Sequence, residues 1–70
     1  MNEYKGYRIE TSVPNFWATT AIANYSIHRQ QRTGWRRTHE GRVHGSFTNL
    51  DEAHSAADAA ARLWIDRRVV

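Results

Sequence analysis

The stretch "GSFTNLDEAHSAADAAARLW", residues 45–64, constrains this chain more than any other. Asn49 is a favoured N-cap residue, and Glu52 three positions later completes a pair that resembles a capping box. Apolar residues then recur at helical spacing, which predicts a C-terminal helix with one stripe against the core. The predicted stripe comprises Leu50, Ala53, Ala56, Ala57, Ala60, Leu63 and Trp64.

A helix with a mostly alanine stripe needs bulky side chains from the surface it packs against. Alanine favours helix intrinsically, and its small side chain lets the backbone approach a neighbouring layer closely. The β-forming segments before the helix carry aromatic residues at regular intervals. We predict that the bulk above the alanines comes from Tyr7, Trp17, Tyr25 and Phe47.

Three segments before the helix have the pattern of strands. "YKGYRIETSV" alternates, which places Tyr7, Ile9, Thr11 and Val13 on one face. "WATTAIANYSIHR" holds apolar residues on both parities, so its register is ambiguous. "WRRTHEGRVHGSF" is expected to return antiparallel after a turn at Gly34, with a bulge at Gly41.

These elements predict an α+β fold: a three-stranded antiparallel sheet with one C-terminal helix packed on one face, in the order β-β-β-α. The chain of 70 residues is expected to be a single domain, residues 1–70. The other sheet face would stay open to a partner. Since a core of this size is small, a homodimer is one way in which the protein could bury more surface.

Composition argues against several classes of function. Without cysteine the chain has no disulfide and no thiolate metal site, and its histidines lack metal-binding spacing, so we expect no metal and no cofactor. No residues are arranged for nucleophilic catalysis, so we expect a protein that is not an enzyme. The chain has no apolar run of about 20 residues. The start "MNEYKGYRIE" has no signal-peptide pattern, which predicts a cytoplasmic protein without membrane contact.

The basic residues are strongly biased and unevenly placed. The net charge is +3, and Lys5 is the only lysine among ten basic residues. Five arginines lie between Arg29 and Arg42, interrupted by the single acid Glu40. Arginine suits phosphate and base recognition because its planar guanidinium makes paired hydrogen bonds and stacks on rings. Strict alternation would place Arg37 with His39 on one face and Arg36, Thr38 and Glu40 on the other.

The region "GSFTNLDEAHSAAD" and the opening "YKGYR" together resemble the AP2-like DNA-binding module of plant ethylene-response factors and of phage integrase arm-binding domains. The segment Tyr4 to Arg8 is similar to the family's Tyr-Arg-Gly-Val-Arg opening. The residues that carry the likeness near the helix are Gly45, Ser46, Phe47, Asp51, Glu52, Ala53, Ala56, Asp58, Ala60 and Ala61. The resemblance implies DNA binding by arginine and tryptophan on the open sheet. In this chain those residues lie mainly in the second hairpin.

The sequence therefore predicts a small nucleic-acid-binding domain of a bacterial or phage protein, with DNA as the expected target. Its predicted contacts are Arg8, Arg29, Arg32, Arg36, Arg37, Arg42 and Trp35. An alternative is a protein-interaction or inhibitor module, which could be a homodimer, with Trp35 and Phe16 as anchors. A third interpretation is that the basic hairpin is simply solvated and protects an edge strand.

Overall fold

The computed structural model of the protein describes residues 2–14 and 21–68. Within these residues, one antiparallel sheet has the strand order β1-β2-β3-β4, and a single helix follows it. The predicted α+β class and the C-terminal helix are confirmed, but the sheet has four strands where we predicted three. The elements are β1 Asn2–Tyr4, β2 Tyr7–Ser12, β3 Ala21–Gln31, β4 Gly34–Gly45 and α1 Leu50–Arg68.

The additional strand arises from a tight turn inside "YKGYR". Lys5 and Gly6 both have positive φ, 50° and 85°, as the mirror-image two-residue turns of β-hairpins require. Tyr4 then pairs directly with Tyr7. Lys5 Nζ lies 2.7 Å from Asp66 Oδ1 at the end of α1, so a tertiary contact supports the unusual backbone of this turn. From alternation alone, we predicted one continuous strand over the same residues.

The helix packs on one face of the sheet through a stripe that differs from the predicted one. Its fully buried residues recur every four positions: Ala53, Ala57, Ala61 and Ile65. Leu50 and Leu63, which we predicted to be in the core, are 48% and 53% exposed. Trp64 is partly buried against the core, as predicted. The helix is therefore rotated so that Ile65 enters the core and Leu63 faces away from it.

The core has two parts, and different side chains fill each of them. At one end, Ile9 and Ile27 of the sheet meet Ala61 and Ile65 of the helix. At the other end, Ala23 lies against Ala53 and Ala57, and Val43 and Phe47 close the sides. Tyr25 packs against both parts and Tyr7 against the first, as the aromatic pattern predicted. Trp17 lies outside the described residues.

The N-cap of α1 forms as predicted, whereas the Glu52 side chain bonds to Thr48, the residue before the N-cap. The backbone N–H of Glu52 donates to Asn49 Oδ1 at 2.8 Å, which makes Asn49 the N-cap. The Glu52 carboxylate in turn accepts hydrogen bonds from the hydroxyl and the backbone N–H of Thr48. These hydrogen bonds lower the pKa of Glu52 below its ordinary value. The cap thus links the end of the sheet region to the helix.

A bulge in β4 decides which side chains share a face. Ile27 pairs with His39 and His28 pairs with Arg37, which leaves Thr38 without a partner on β3. The Thr38 hydroxyl donates to the Ile27 carbonyl at 3.2 Å. The bulge is therefore at Thr38, and strict alternation through it was a wrong prediction.

Two glycines of the hairpin formed by β3 and β4 have roles other than the predicted ones. Gly41, the predicted bulge, pairs regularly with Tyr25. The turn between β3 and β4 is formed by Arg32 and Thr33. Gly34 pairs with Gln31 just after the turn and has a φ of 124°, which favours glycine.

Candidate nucleic-acid interface

The open face is the side of the sheet turned away from α1. Its side chains alternate with the buried ones: Arg8 and Glu10 flank Ile9, and Ser26 and His28 flank Ile27. Polar side chains of three neighbouring strands enclose a shallow trough of about 530 Å³. Those that line it include Glu10, Ser12, Asn24, Ser26, Arg37, Glu40 and Arg42.

A cation stacked on an aromatic ring lies beside this trough. The Arg8 guanidinium lies 4.0 Å from the centroid of the Trp35 ring, which is within the range of a cation–π contact. An Arg8 terminal nitrogen is 3.6 Å from Glu3 Oε1. The Nε atom of Arg8 is buried and has no hydrogen-bond partner among the described residues. Arg8 and Arg37 both pair with His28, from opposite sides of β3. β2 and β4 thus hold two guanidinium groups and an indole in one region on either side of β3.

His28 sits between two polar side chains that no sequence pattern indicated. Its Nε2 is 3.1 Å from Ser26 Oγ and 3.5 Å from Glu10 Oε2. A nucleophile–base–acid triad needs the acid on the other ring nitrogen, where it holds the imidazole in the tautomer that accepts the nucleophile's proton. Here both partners share Nε2. The cluster is consistent with hydrogen bonding to a ligand and does not have the geometry of a triad.

The charges of the open face are largely paired. Arg37 Nη1 lies 3.1 Å from Glu40 Oε2, and Arg8 and His28 each approach a glutamate. Among the described residues, Arg42 has no carboxylate within 4.0 Å. The open face therefore offers many hydrogen-bonding groups and a modest excess of positive charge.

The predicted site residues divide between the two faces of the sheet. Arg37 and Arg42 are five positions apart, so they would lie on opposite faces of a regular strand, and only the bulge at Thr38 brings them to the same side. Arg32 lies in the turn. The open face holds Arg8, Trp35, Arg37 and Arg42, whereas Arg29 and Arg36 pair with each other on the helix side. The basic hairpin predicted as one interface is therefore two surfaces.

Sequence reasoning missed the trough residues Glu10, Asn24, Ser26 and His28. Their proximity depends on the pairing register of β2 with β3, which sets Glu10 opposite Ser26. The parity of β3 was ambiguous in the sequence, because apolar residues occur on both sides. The one available signal was the alternation of β2, which already placed Glu10 away from the core.

Two of the other three histidines, His39 and His54, have structural contacts. His39 stacks on Trp64, with ring centroids 4.5 Å apart and an interplanar angle of 6°. His54 Nδ1 is 2.7 Å from Thr11 Oγ1, which ties α1 to β2.

Across residues 2–14 and 21–68, no three potential metal ligands converge. The helix that the structure describes is not apolar enough to span a bilayer.

Comparison of the chain with protein-family models, curated proteins and solved structures gives no match. The likeness to the AP2-like module therefore depends on the motifs quoted above and stays a prediction. Any functional conclusion has to come from the residues of the interface itself.

Proposed function

We propose that this protein binds nucleic acid through the open face of its sheet. The observation that carries the proposal is the cluster of Arg8 of β2 with Trp35 and Arg37 of β4, which meet across β3, with the Arg8 guanidinium held 4.0 Å from the indole ring. A guanidinium held over a ring leaves the N–H groups at its edge able to donate to a phosphate. The contact with Trp35 fixes the orientation before a ligand arrives.

The surrounding side chains suit recognition of bases as well as phosphates. Asn24 and Glu40 offer amide and carboxylate groups, the types that contact adenine and cytosine edges, and Arg42 offers the donor pair that contacts guanine. Trp35 adds a ring on which a base can stack. DNA is the expected target from the AP2-like resemblance, and a two-stranded ribbon fits the major groove. The shared Nε2 contacts of His28 favour binding over catalysis.

The test is binding to labelled duplex and single-stranded DNA and RNA as a function of salt, measured by fluorescence anisotropy. Removing one phosphate-neutralising arginine should reduce the slope of log K against log salt by about 0.9 for duplex DNA. We therefore expect Arg37→Gln and Arg42→Gln each to weaken binding and flatten this slope. Arg62→Gln is the matched control, because Arg62 lies on the helix and pairs with Asp58 at 2.7 Å. Equal losses of affinity in the control, or no binding at low salt, would refute the proposal.

A second candidate is protein interaction, and the position of β4 favours it. β4 spans 12 residues at one edge of the sheet and pairs only with β3 in the described structure, so one row of its backbone groups is available to another strand. Trp35 lies on this strand and is partly exposed. The other predicted anchor, Phe16, lies outside the described residues. Sedimentation equilibrium of the wild type and Trp35→Ala tests for a homodimer, and a monomer at all concentrations would exclude it.

A further inference from the structure

The helix side of the second hairpin carries a basic surface separate from the open face. Arg29 of β3 and Arg36 of β4 are direct cross-strand partners there. They lie beyond the bulge at Thr38, next to Tyr7 of β2. Arg68 approaches the same region from the last turn of α1, where its guanidinium lies 4.7 Å from the centroid of the Trp64 ring. We call Arg29, Arg36 and Arg68 the helix-side basic cluster.

Arg29 and Arg36 are like charges paired across two strands, and no carboxylate of the described residues compensates them. Like charges directly opposite each other on adjacent strands destabilise a sheet. Among residues 2–14 and 21–68, no carboxylate lies within 4.0 Å of either arginine or of Arg68. Arg8 and Arg37 of the open face, in contrast, each have a glutamate within that distance. On the strands of this hairpin, the helix side thus carries two arginines, Arg29 and Arg36, without a described carboxylate within 4.0 Å, whereas the open face carries one, Arg42.

Aromatic rings contact two members of the cluster, Arg29 and Arg68. The Arg29 guanidinium lies 6.0 Å from the Tyr7 ring, and Tyr7 meets Trp64 edge-on at 6.4 Å. Trp64 in turn contacts both His39 and Arg68. The helix dipole accounts for a basic residue at position 68. It does not account for Arg29 and Arg36, which are on strands.

We propose that the helix-side basic cluster is a second phosphate-binding surface, and that one protein molecule bridges two segments of nucleic acid. One segment lies on the open face and the other against Arg29, Arg36 and Arg68. The inference rests on the proposed function, because it assigns the same class of ligand to the second surface. An arginine guanidinium binds a phosphodiester through two parallel, charge-assisted hydrogen bonds. The sheet separates the two surfaces, so they present their donors in opposite directions.

The test is a bridging assay with two duplexes of the same sequence. One duplex is biotinylated and fixed to beads, the other is fluorescent and free, and captured fluorescence is measured after addition of protein. The wild type should capture the free duplex. Arg29→Gln/Arg36→Gln should still bind the bead-bound duplex through the open face but lose the capture. The charge-conserving Arg29→Lys/Arg36→Lys should retain part of it, because lysine keeps the charge but not the paired hydrogen bonds, and circular dichroism checks that all variants fold.

The outcomes separate the two proposals. If the wild type binds neither duplex, the proposed function fails and this inference fails with it. If the wild type binds the bead-bound duplex but captures no free duplex, only the bridging inference is overturned. Capture that survives Arg29→Gln/Arg36→Gln, for example because a dimer presents two open faces, also overturns it. Arg62→Gln, the charge-loss control, should capture as well as the wild type.

Discussion

Gly41 is the position where one added methyl group tests the packing of this sheet most directly. A Cβ built there would lie 2.6 Å from Cζ of Tyr25, its cross-strand partner. The Tyr25 ring cannot easily move aside, because it packs against both parts of the core and lies 5.9 Å from the His39 ring. Gly41→Ala should therefore force the ring out of its position.

Two opposing effects decide whether Gly41→Ala raises or lowers the free energy of unfolding. Gly41 does not have a positive φ, so alanine fits its backbone, and the loss of unfolded-state freedom alone would stabilise the protein by about 0.4–1 kcal/mol. Overpacking a well-filled core costs about 1–3 kcal/mol. We expect a net loss of about 1–2 kcal/mol in the free energy of unfolding. In a domain of this size, that corresponds to a fall in Tm of about 4–16 °C.

The assay is thermal and urea unfolding followed by circular dichroism. Gly45→Ala is the matched control, since its Cβ would lie 3.2 Å from the outer edge of the Phe47 ring, at the end of the strand, and should cost less. In a Tyr25→Leu background the cost of Gly41→Ala should shrink, because the obstructing ring is gone. A Gly41→Ala protein as stable as the wild type would refute the proposed packing of Tyr25 over the glycine.

Two further predictions concern the helix. The hydrogen bond from Lys5 holds the pKa of Asp66 below its ordinary value, so the associated stability is present above that value and is lost as the pH falls through the lowered pKa. Asp66→Asn should therefore show a flatter acid limb in urea midpoints measured against pH, and an unchanged profile would contradict this. Ala57→Leu should destabilise the fold by about 1–3 kcal/mol or more, because Ala57 is fully buried. Ala59→Leu, at an exposed position of the same helix, should have little effect in the same unfolding assay.

The positions of the open-face arginines were predictable only in part from the local sequence pattern. Arg8 was predictable as a surface residue, because "YRIETS" alternates and Ile9 had to face the core. The grouping of Arg37 with Arg42 was not predictable, since it depends on the unpaired Thr38 in β4. An alternation pattern carries no information about one extra residue between two paired positions. A single-residue shift of this kind moves every following side chain to the opposite face.

The sequence alone determined the elements whose causes are local: the Asn49 cap, the course of α1, the strand character of β2, and the order of sheet and helix. Tertiary structure decided the rest, because it depends on contacts between distant residues. The Lys5–Asp66 contact joins the β1–β2 turn to the helix end. The rotation of α1 buries Ile65 and exposes Leu63, because the alanine side of the helix fits closest to Ala23 and Ile27. The separation of the arginines into two surfaces follows from strand register, which arises only when the strands pair.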